Sequence, residues 1–186
     1  MVMKPRAAVF LDRDGVLVRP AVREGKPFAI HSLAEFELLP GVAKACEILR
    51  RIGPLVVVTN QPDVARGTAK RDEIEKIHTE LQRRLPIDRI EACYENGRDP
   101  NSLFYKPATG MLRRAAQEMN LDLAASIMIG DRWRDVACGH AAGCLTVWID
   151  RGYAEPSPEN PDHIVPDLPA AAELLARLGK IPAAYA

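Results

Sequence analysis

The sequence predicts an α/β fold built on a mainly parallel sheet. Short β-branched runs alternate with amphipathic helical stretches along the chain. One of those runs, Leu55-Val56-Val57-Val58, is apolar at every position, as strands buried on both faces are. The 186 residues are 47% hydrophobic, which supplies a substantial core for one domain spanning 1–186 and leaves no room for a second of full size.

The elements follow in order. Ala7-Ala8-Val9-Phe10-Leu11 predicts the first strand. Residues 15–40 mix glycine, proline and charge without steady periodicity and predict a loop or flap. Pro40-Gly41 opens a helix over 41–52, with Val42, Ala45, Cys46 and Leu49 on one face. After the strand at 55–58, a helix over 69–85 groups Ile74, Ile77, His78 and Leu81, and a weaker strand follows at 89–94. An irregular stretch from Glu95 to Tyr105 precedes a helix from Pro107 to Asn120. Strands at 126–129 and 144–149 flank a helix over 133–142. A short strand at Ile164-Val165 and a helix over 169–178, expected to cap the sheet, end the chain.

Composition excludes several functions. Lysine plus arginine and aspartate plus glutamate are equal at 25 each, so no global field draws the chain to nucleic acid or an anionic membrane. The pairs Arg50-Arg51, Arg83-Arg84 and Arg113-Arg114 read as solvated helix faces. Cys46, Cys93, Cys138 and Cys144 form no CxxC pair, Met1-Val2-Met3-Lys4-Pro5 offers no signal-peptide core, and no apolar run approaches the roughly 20 residues that span a bilayer. A cytoplasmic monomer with free thiols is the expectation. His31, His78, His140 and His163 show no ligand spacing and read as surface or core residues.

Ligands of open α/β sheets bind beyond the carboxyl ends of strands. Asp12, Thr59 and Asp131 stand there, and Lys106 precedes a helix. Asp12 and Asp14, two apart on an extended chain, point the same way, and two close carboxylates cannot both ionise cheaply. One is then suited to be a nucleophile and metal ligand, the other a general acid. Gly15 permits a sharp backbone departure. Alone, Asp-x-Asp-Gly is a weak signal that fits a structural turn. Asp12, Asp131 and the Asp14 carbonyl form an oxygen set suited to magnesium. Asp131 also reads as a helix N-cap, and Asp135 equally as a first-turn residue favoured by the helix dipole or as support for the metal. Thr59 offers a hydroxyl and Lys106 a mobile charge for phosphate oxygens.

The order of Asp12-Arg13-Asp14-Gly15, Thr59, Lys106 and Gly130-Asp131-x-x-x-Asp135 resembles the haloacid dehalogenase superfamily of phosphohydrolases. Phe36-Glu37-Leu38-Leu39-Pro40-Gly41-Val42, Val58-Thr59-Asn60-Gln61 with Ala65-Arg66-Gly67, and Lys106-Pro107-Ala108-Thr109-Gly110-Met111 look like its branch of heptose bisphosphate and histidinol-phosphate phosphatases. The resemblance implies a three-layer Rossmann-like core with helices on both faces of the sheet and no large cap domain. It also implies magnesium-dependent hydrolysis of a small phosphorylated metabolite, a sugar phosphate first. Asp12 then attacks phosphorus, Asp14 serves as acid and then base, and Thr59 and Lys106 neutralise the transferring group. Asn60, Gln61 and Arg132 become candidate substrate contacts. A phosphotransferase would use the same residues, and a regulatory protein could keep the scaffold without the reaction.

Two departures stand out. Many relatives carry a zinc loop before the lysine, whereas here Cys93 alone matches, with Glu95, Ser102 and Phe104 at the other three inferred positions. One soft ligand does not make a tetrahedral site, so the 95–105 segment is expected to bind no structural zinc. Tyr105 stands where relatives often have arginine.

Overall fold

In chain order the elements are β1 (Val9–Leu11), a hairpin of β2 (Ala21–Arg23) and β3 (Lys26–Phe28), α1 (Val42–Leu49), β4 (Leu55–Asn60), α2 (Pro62–Ala65), α3 (Arg71–Arg84), β5 (Arg89–Cys93), α4 (Gly110–Met119), β6 (Ile127–Gly130), α5 (Trp133–Ala142), β7 (Leu145–Ile149), β8 (His163–Val165) and α6 (Leu168–Arg177). The computed structural model describes residues 4–181; Met1 to Met3, part of the segment read for a signal peptide, lie outside them. No helix among the described residues is long and apolar enough to cross a membrane.

Strand alternation sorts the core into two layers. Val9 and Leu11 of β1 and Leu55 and Val57 of β4 face a cluster with residues of α1, α3 and α6. Phe10, Val56 and Val58 face the opposite way, against Met111, Leu112 and Ala115 of α4 and Cys138 of α5. Because successive side chains point to opposite faces, a strand covered on both sides must be apolar throughout, which is why β4 carries no polar residue before Thr59.

The main sheet runs β5-β4-β1-β6-β7-β8, with every pairing parallel. From β1 the chain builds outward through β4 and β5, then returns to place β6 on the other side of β1. That reversal opens a crevice at the carboxyl ends of β1, β4 and β6.

Three expectations need correction. The 15–40 segment contains the β2–β3 hairpin, turned by Glu24 and Gly25 at φ 51° and 73°, two left-handed residues in a row. Its Glu-Gly lacks the usual asparagine or aspartate, so the turn was not visible as a signal. The helix expected from Pro107 begins at Gly110, because Gly110 N–H donates to Leu103 O at 2.8 Å and Ala108 N–H to Tyr105 O at 3.0 Å, making 106–109 a turn. The four-residue α2 at Pro62 was not expected at all.

Gly139 marks where α5 lies closest to the sheet. A Cβ there would stand 2.8 Å from both Met128 Cβ, which moves only with the backbone, and Thr146 Cγ2, whose rotamer is held by the Thr146 hydroxyl bond to Asp162 at 2.7 Å. Alanine in a helix interior ordinarily gains about 1 kcal/mol over glycine. Here the clash reverses that sign, and Gly139→Ala is expected to lose about 1–3 kcal/mol in chemical denaturation.

Candidate active site

The site is assembled around a buried ammonium. Lys106 Nζ donates to Asp12 Oδ1 at 2.9 Å, to Asp135 Oδ1 at 2.6 Å and to Val58 O at 2.8 Å, so all three of its protons are used. Burial opposes the charge, but Asp12 and Asp135 more than offset it and push the lysine pKa up. The Lys106 backbone is pinned as well: its N–H donates to Asn60 Oδ1 at 3.0 Å and its carbonyl accepts from Asn60 Nδ2 at 3.1 Å.

Asp12, Asp131 and Asp135 each present a carboxylate oxygen within 4.8 Å of the others. Neither oxygen of the buried Asp131 accepts a well-formed hydrogen bond. Burial, then the charges of Asp12 and Asp135, drive the Asp131 pKa well up, against a weaker pull from Tyr153 and Arg132. Asp135 is also raised, chiefly by burial, with Lys106 acting the other way. Gly15, at φ 86°, brings the loop so close that a Cβ there would overlap Asp131 Oδ2. Arg151 Nε holds the Gly15 carbonyl at 2.9 Å, and Trp148 Nε1 holds that of Asp131 at 3.1 Å.

Asp135 takes the first-turn place at the start of α5. Its Oδ2 accepts the Arg132 N–H at 3.0 Å at the start of α5 while Oδ1 grips Lys106. The N-cap position belongs to Arg132 rather than to Asp131, whose carboxylate faces the cluster.

The carboxylates grouped with Asp12 are those of Asp131 and Asp135. Asp14 Oδ2 receives Arg13 Nε at 2.9 Å and Gln61 Nε2 at 3.1 Å, and Oδ1 receives the Ile30 N–H at 3.3 Å. Arg13, within the quoted motif but given no role by the sequence, is completely buried.

A cavity of about 260 Å³ opens above these groups, lined by Asp12, Asp14, Thr59, Lys106 and Tyr105, with Phe28 of the hairpin on its far wall. Thr59, buried at the end of β4, accepts from Gln61 Nε2 at 2.9 Å. Both Gln61 Nε2 protons are therefore committed inside the protein, and Gln61 does not line the cavity. Asn60 lines it, although its amide clamps the Lys106 backbone. Arg132 also lines it, with its guanidinium paired to both oxygens of Glu155. Of the three candidate substrate contacts, Asn60 and Arg132 reach the cavity and Gln61 does not. Tyr153, which approaches Asp131, carried no sequence signal because nothing in its spacing sets it apart.

Just before the 95–105 segment, Cys93 at the end of β5 is buried in the core, where burial raises its thiol pKa. Ser102 Oγ accepts the Tyr105 N–H at 2.9 Å, the Phe104 ring lies 4.6 Å from the Arg114 guanidinium, and Gly97 at φ 73° abuts the Tyr105 ring.

A HAD-hydrolase-like family model matches residues 104–171. The D-glycero-D-manno-heptose-1,7-bisphosphate 7-phosphatase of Thermosynechococcus vestitus is 33% identical over 192 residues, covering 91% of this chain and 95% of its own. The chain belongs to the haloacid dehalogenase superfamily. Within it, the β-anomer heptose bisphosphate phosphatase of Escherichia coli is 32% identical over 82% of this chain and 83% of its own. The D,D-heptose 1,7-bisphosphate phosphatase of B. bronchiseptica, solved with magnesium and phosphate, superposes with a TM-score of 0.73 at 27% identity, covering 92% of this chain and 99% of that one. This chain is a phosphatase with the same Rossmann-like sheet.

The orphaned Asp131 carries a cost for this phosphatase. Its pKa is raised by folding, so the stability it contributes is complete below the unfolded value near 4 and is lost as pH rises through the folded value. At neutral pH the metal-free protein bears that loss. Asp131→Asn keeps the shape and removes the charge, and is expected to raise metal-free stability at pH 7 by about 1–3 kcal/mol, with the gain vanishing near pH 4, in thermal or denaturant unfolding.

Proposed function

We propose that this phosphatase is a magnesium-dependent phosphomonoester hydrolase that works through an aspartyl phosphate on Asp12 and acts on a sugar phosphate such as D-glycero-D-manno-heptose 1,7-bisphosphate. One observation carries the mechanism: Asp12 stands at the cavity floor, between the Lys106 ammonium and two further buried carboxylates.

The donor set suits a hard divalent cation. Three carboxylates crowd together, and the orphaned Asp131 oxygens supply ligand positions that the protein itself leaves unfilled. Asp12, Asp131 and the Asp14 backbone carbonyl would hold magnesium, with Asp135 behind them. Bound there, the ion offsets the charge of the carboxylates and of the phosphoryl oxygens.

The residues divide the reaction between them. An Asp12 oxygen attacks phosphorus in line with the departing ester oxygen, and a proton from Asp14 goes to that oxygen as its bond to phosphorus breaks. Asp14 then takes a proton from a water, whose oxygen attacks phosphorus and releases phosphate, restoring the Asp12 carboxylate. The Thr59 hydroxyl and Lys106 steady the phosphoryl oxygens, and the preset position of the lysine spares reorganisation at the moment of transfer. The hairpin wall shields one side of the cavity from water.

The substrate reading rests on the heptose bisphosphate phosphatases that match over nearly the whole chain. Tyr105 favours a second reading. It lines the cavity where the resemblance supplies an arginine, and a phenol suits an aromatic or singly phosphorylated metabolite such as histidinol phosphate better than a second phosphate. The four buried thiols, all unpaired, fit a reducing cytoplasm.

The test is a panel of phosphate monoesters containing both candidates, assayed with magnesium. Heptose bisphosphate is expected to give the highest kcat/KM, and histidinol phosphate leading instead would install the second reading. Asp12→Asn is expected to cut kcat by about a thousandfold or more, and hydrolysis surviving in that variant would falsify the nucleophile. Chelation should abolish turnover, and added magnesium should restore it and raise the melting temperature of the wild type more than that of Asp131→Asn.

A further inference from the structure

Asp14 must deliver a proton and later receive one, so its carboxylate has to be aimed. The group that aims it lies in the interior. Arg13 sends Nε to Asp14 Oδ2 at 2.9 Å, with its NH2 nitrogen 2.8 Å from the same oxygen. The other terminal nitrogen, NH1, lies 3.2 Å from His78 Nε2, on α3.

The protonation of that contact follows from chemistry. A guanidinium has donors and no acceptor, so His78 Nε2 must accept and the ring proton must sit on Nδ1. Nδ1 faces Glu75 Oε2 at 3.4 Å, which suits that tautomer. Glu75 is held in turn by the Tyr94 hydroxyl at 2.6 Å and by Arg71 at 3.7 Å. Burial, followed by the Arg13 charge, lowers the His78 pKa to about 4, and the ring is neutral at neutral pH.

A purely structural account of Arg13 is weak. A buried charge needs acceptors to offset its desolvation, and apolar side chains of similar size commonly serve stability as well or better. Arg13 is wholly buried, and its one charged partner is the carboxylate proposed to move the protons.

We propose that Glu75, His78 and Arg13 form a positioning relay for Asp14: Glu75 sets the imidazole tautomer, His78 fixes the guanidinium, and Arg13 aims the Asp14 carboxylate. This rests on the acid and base role of Asp14 in the proposed function. None of the three touches the substrate cavity. Glu75 and His78 line a separate surface groove of about 460 Å³ with Arg71 and Tyr94, so they can be altered without changing the cavity wall.

The test uses the leaving group. A mispositioned acid slows release of an alkoxide, which needs the proton, far more than release of p-nitrophenolate, which does not. The readout is the ratio of kcat/KM for an alkyl phosphate to that for p-nitrophenyl phosphate, because kcat/KM reports steps through the first irreversible departure. His78→Leu is expected to lower the alkyl value by about tenfold or more and the p-nitrophenyl value by less than about threefold. His78→Gln keeps an acceptor near the Nε2 position and is expected to restore the ratio to within about threefold of wild type. Glu75→Gln, at a half-exposed side chain, provides a second variant with a smaller shift in the same direction. An unchanged ratio in whichever of His78→Leu and Glu75→Gln folds overturns the relay. A wild type that hydrolyses neither ester overturns the underlying assignment instead.

Discussion

The Lys106 ammonium is the constraint around which the rest of the site is arranged. It is buried, and its three protons reach Asp12 after β1, Asp135 in α5 and the Val58 carbonyl in β4. A buried cation of this kind is tolerable only with a complete set of acceptors. Meeting that requirement ties the start of α5 to the carboxyl ends of β1 and β4. Asn60 extends the constraint by binding both backbone groups of Lys106, so the residue after Thr59 holds the lysine while Thr59 faces the cavity. One cation thereby aligns elements more than a hundred residues apart.

The same arrangement explains why the carboxylates crowd as they do. Lys106 satisfies Asp12 and Asp135, whereas Asp131 stays buried with no well-formed hydrogen bond. A stability optimum would replace Asp131 with a neutral residue, as the raised pKa indicates. Its retention fits a site that is poised for a cation and accepts a local loss of stability to stay so.

Much of this was legible in the sequence, for identifiable reasons. The β4 run carried its double burial in its composition, and the strand-end positions of Asp12, Thr59 and Asp131 followed from the general rule for open sheets. Boundaries failed where local chemistry is nonstandard. The Glu24-Gly25 turn hides its hairpin, and the turn at 106–109 delays α4 by a few residues. Side-chain partnerships were the least visible. Period-2 geometry places Asp12 and Asp14 on one side of an extended chain, and both do line the cavity. The carboxylates that cluster with Asp12, however, come from residues more than a hundred positions away. Helical spacing groups His78 with Ile74, Ile77 and Leu81, and all four are buried, but no pattern announces that its partner there is an arginine.

Arg13 and Lys106 show two ways of managing a buried cation beside the same reaction. Lys106 is fixed by charge: two carboxylates and a carbonyl take all its protons, and any phosphoryl oxygen that approaches must share them. Arg13 is divided between one carboxylate and neutral acceptors, His78 Nε2 and the Ile30 carbonyl at 3.4 Å. The difference suits the tasks. A second carboxylate on Arg13 would compete with Asp14 for its positive charge, whereas a neutral imidazole occupies NH1 and leaves that charge to Asp14. In the acid and base role proposed for Asp14, a carboxylate that alternates states is best held by a partner whose remaining contacts do not change charge near neutral pH. Burial of the His78 ring within α3's packed face keeps the imidazole in that condition.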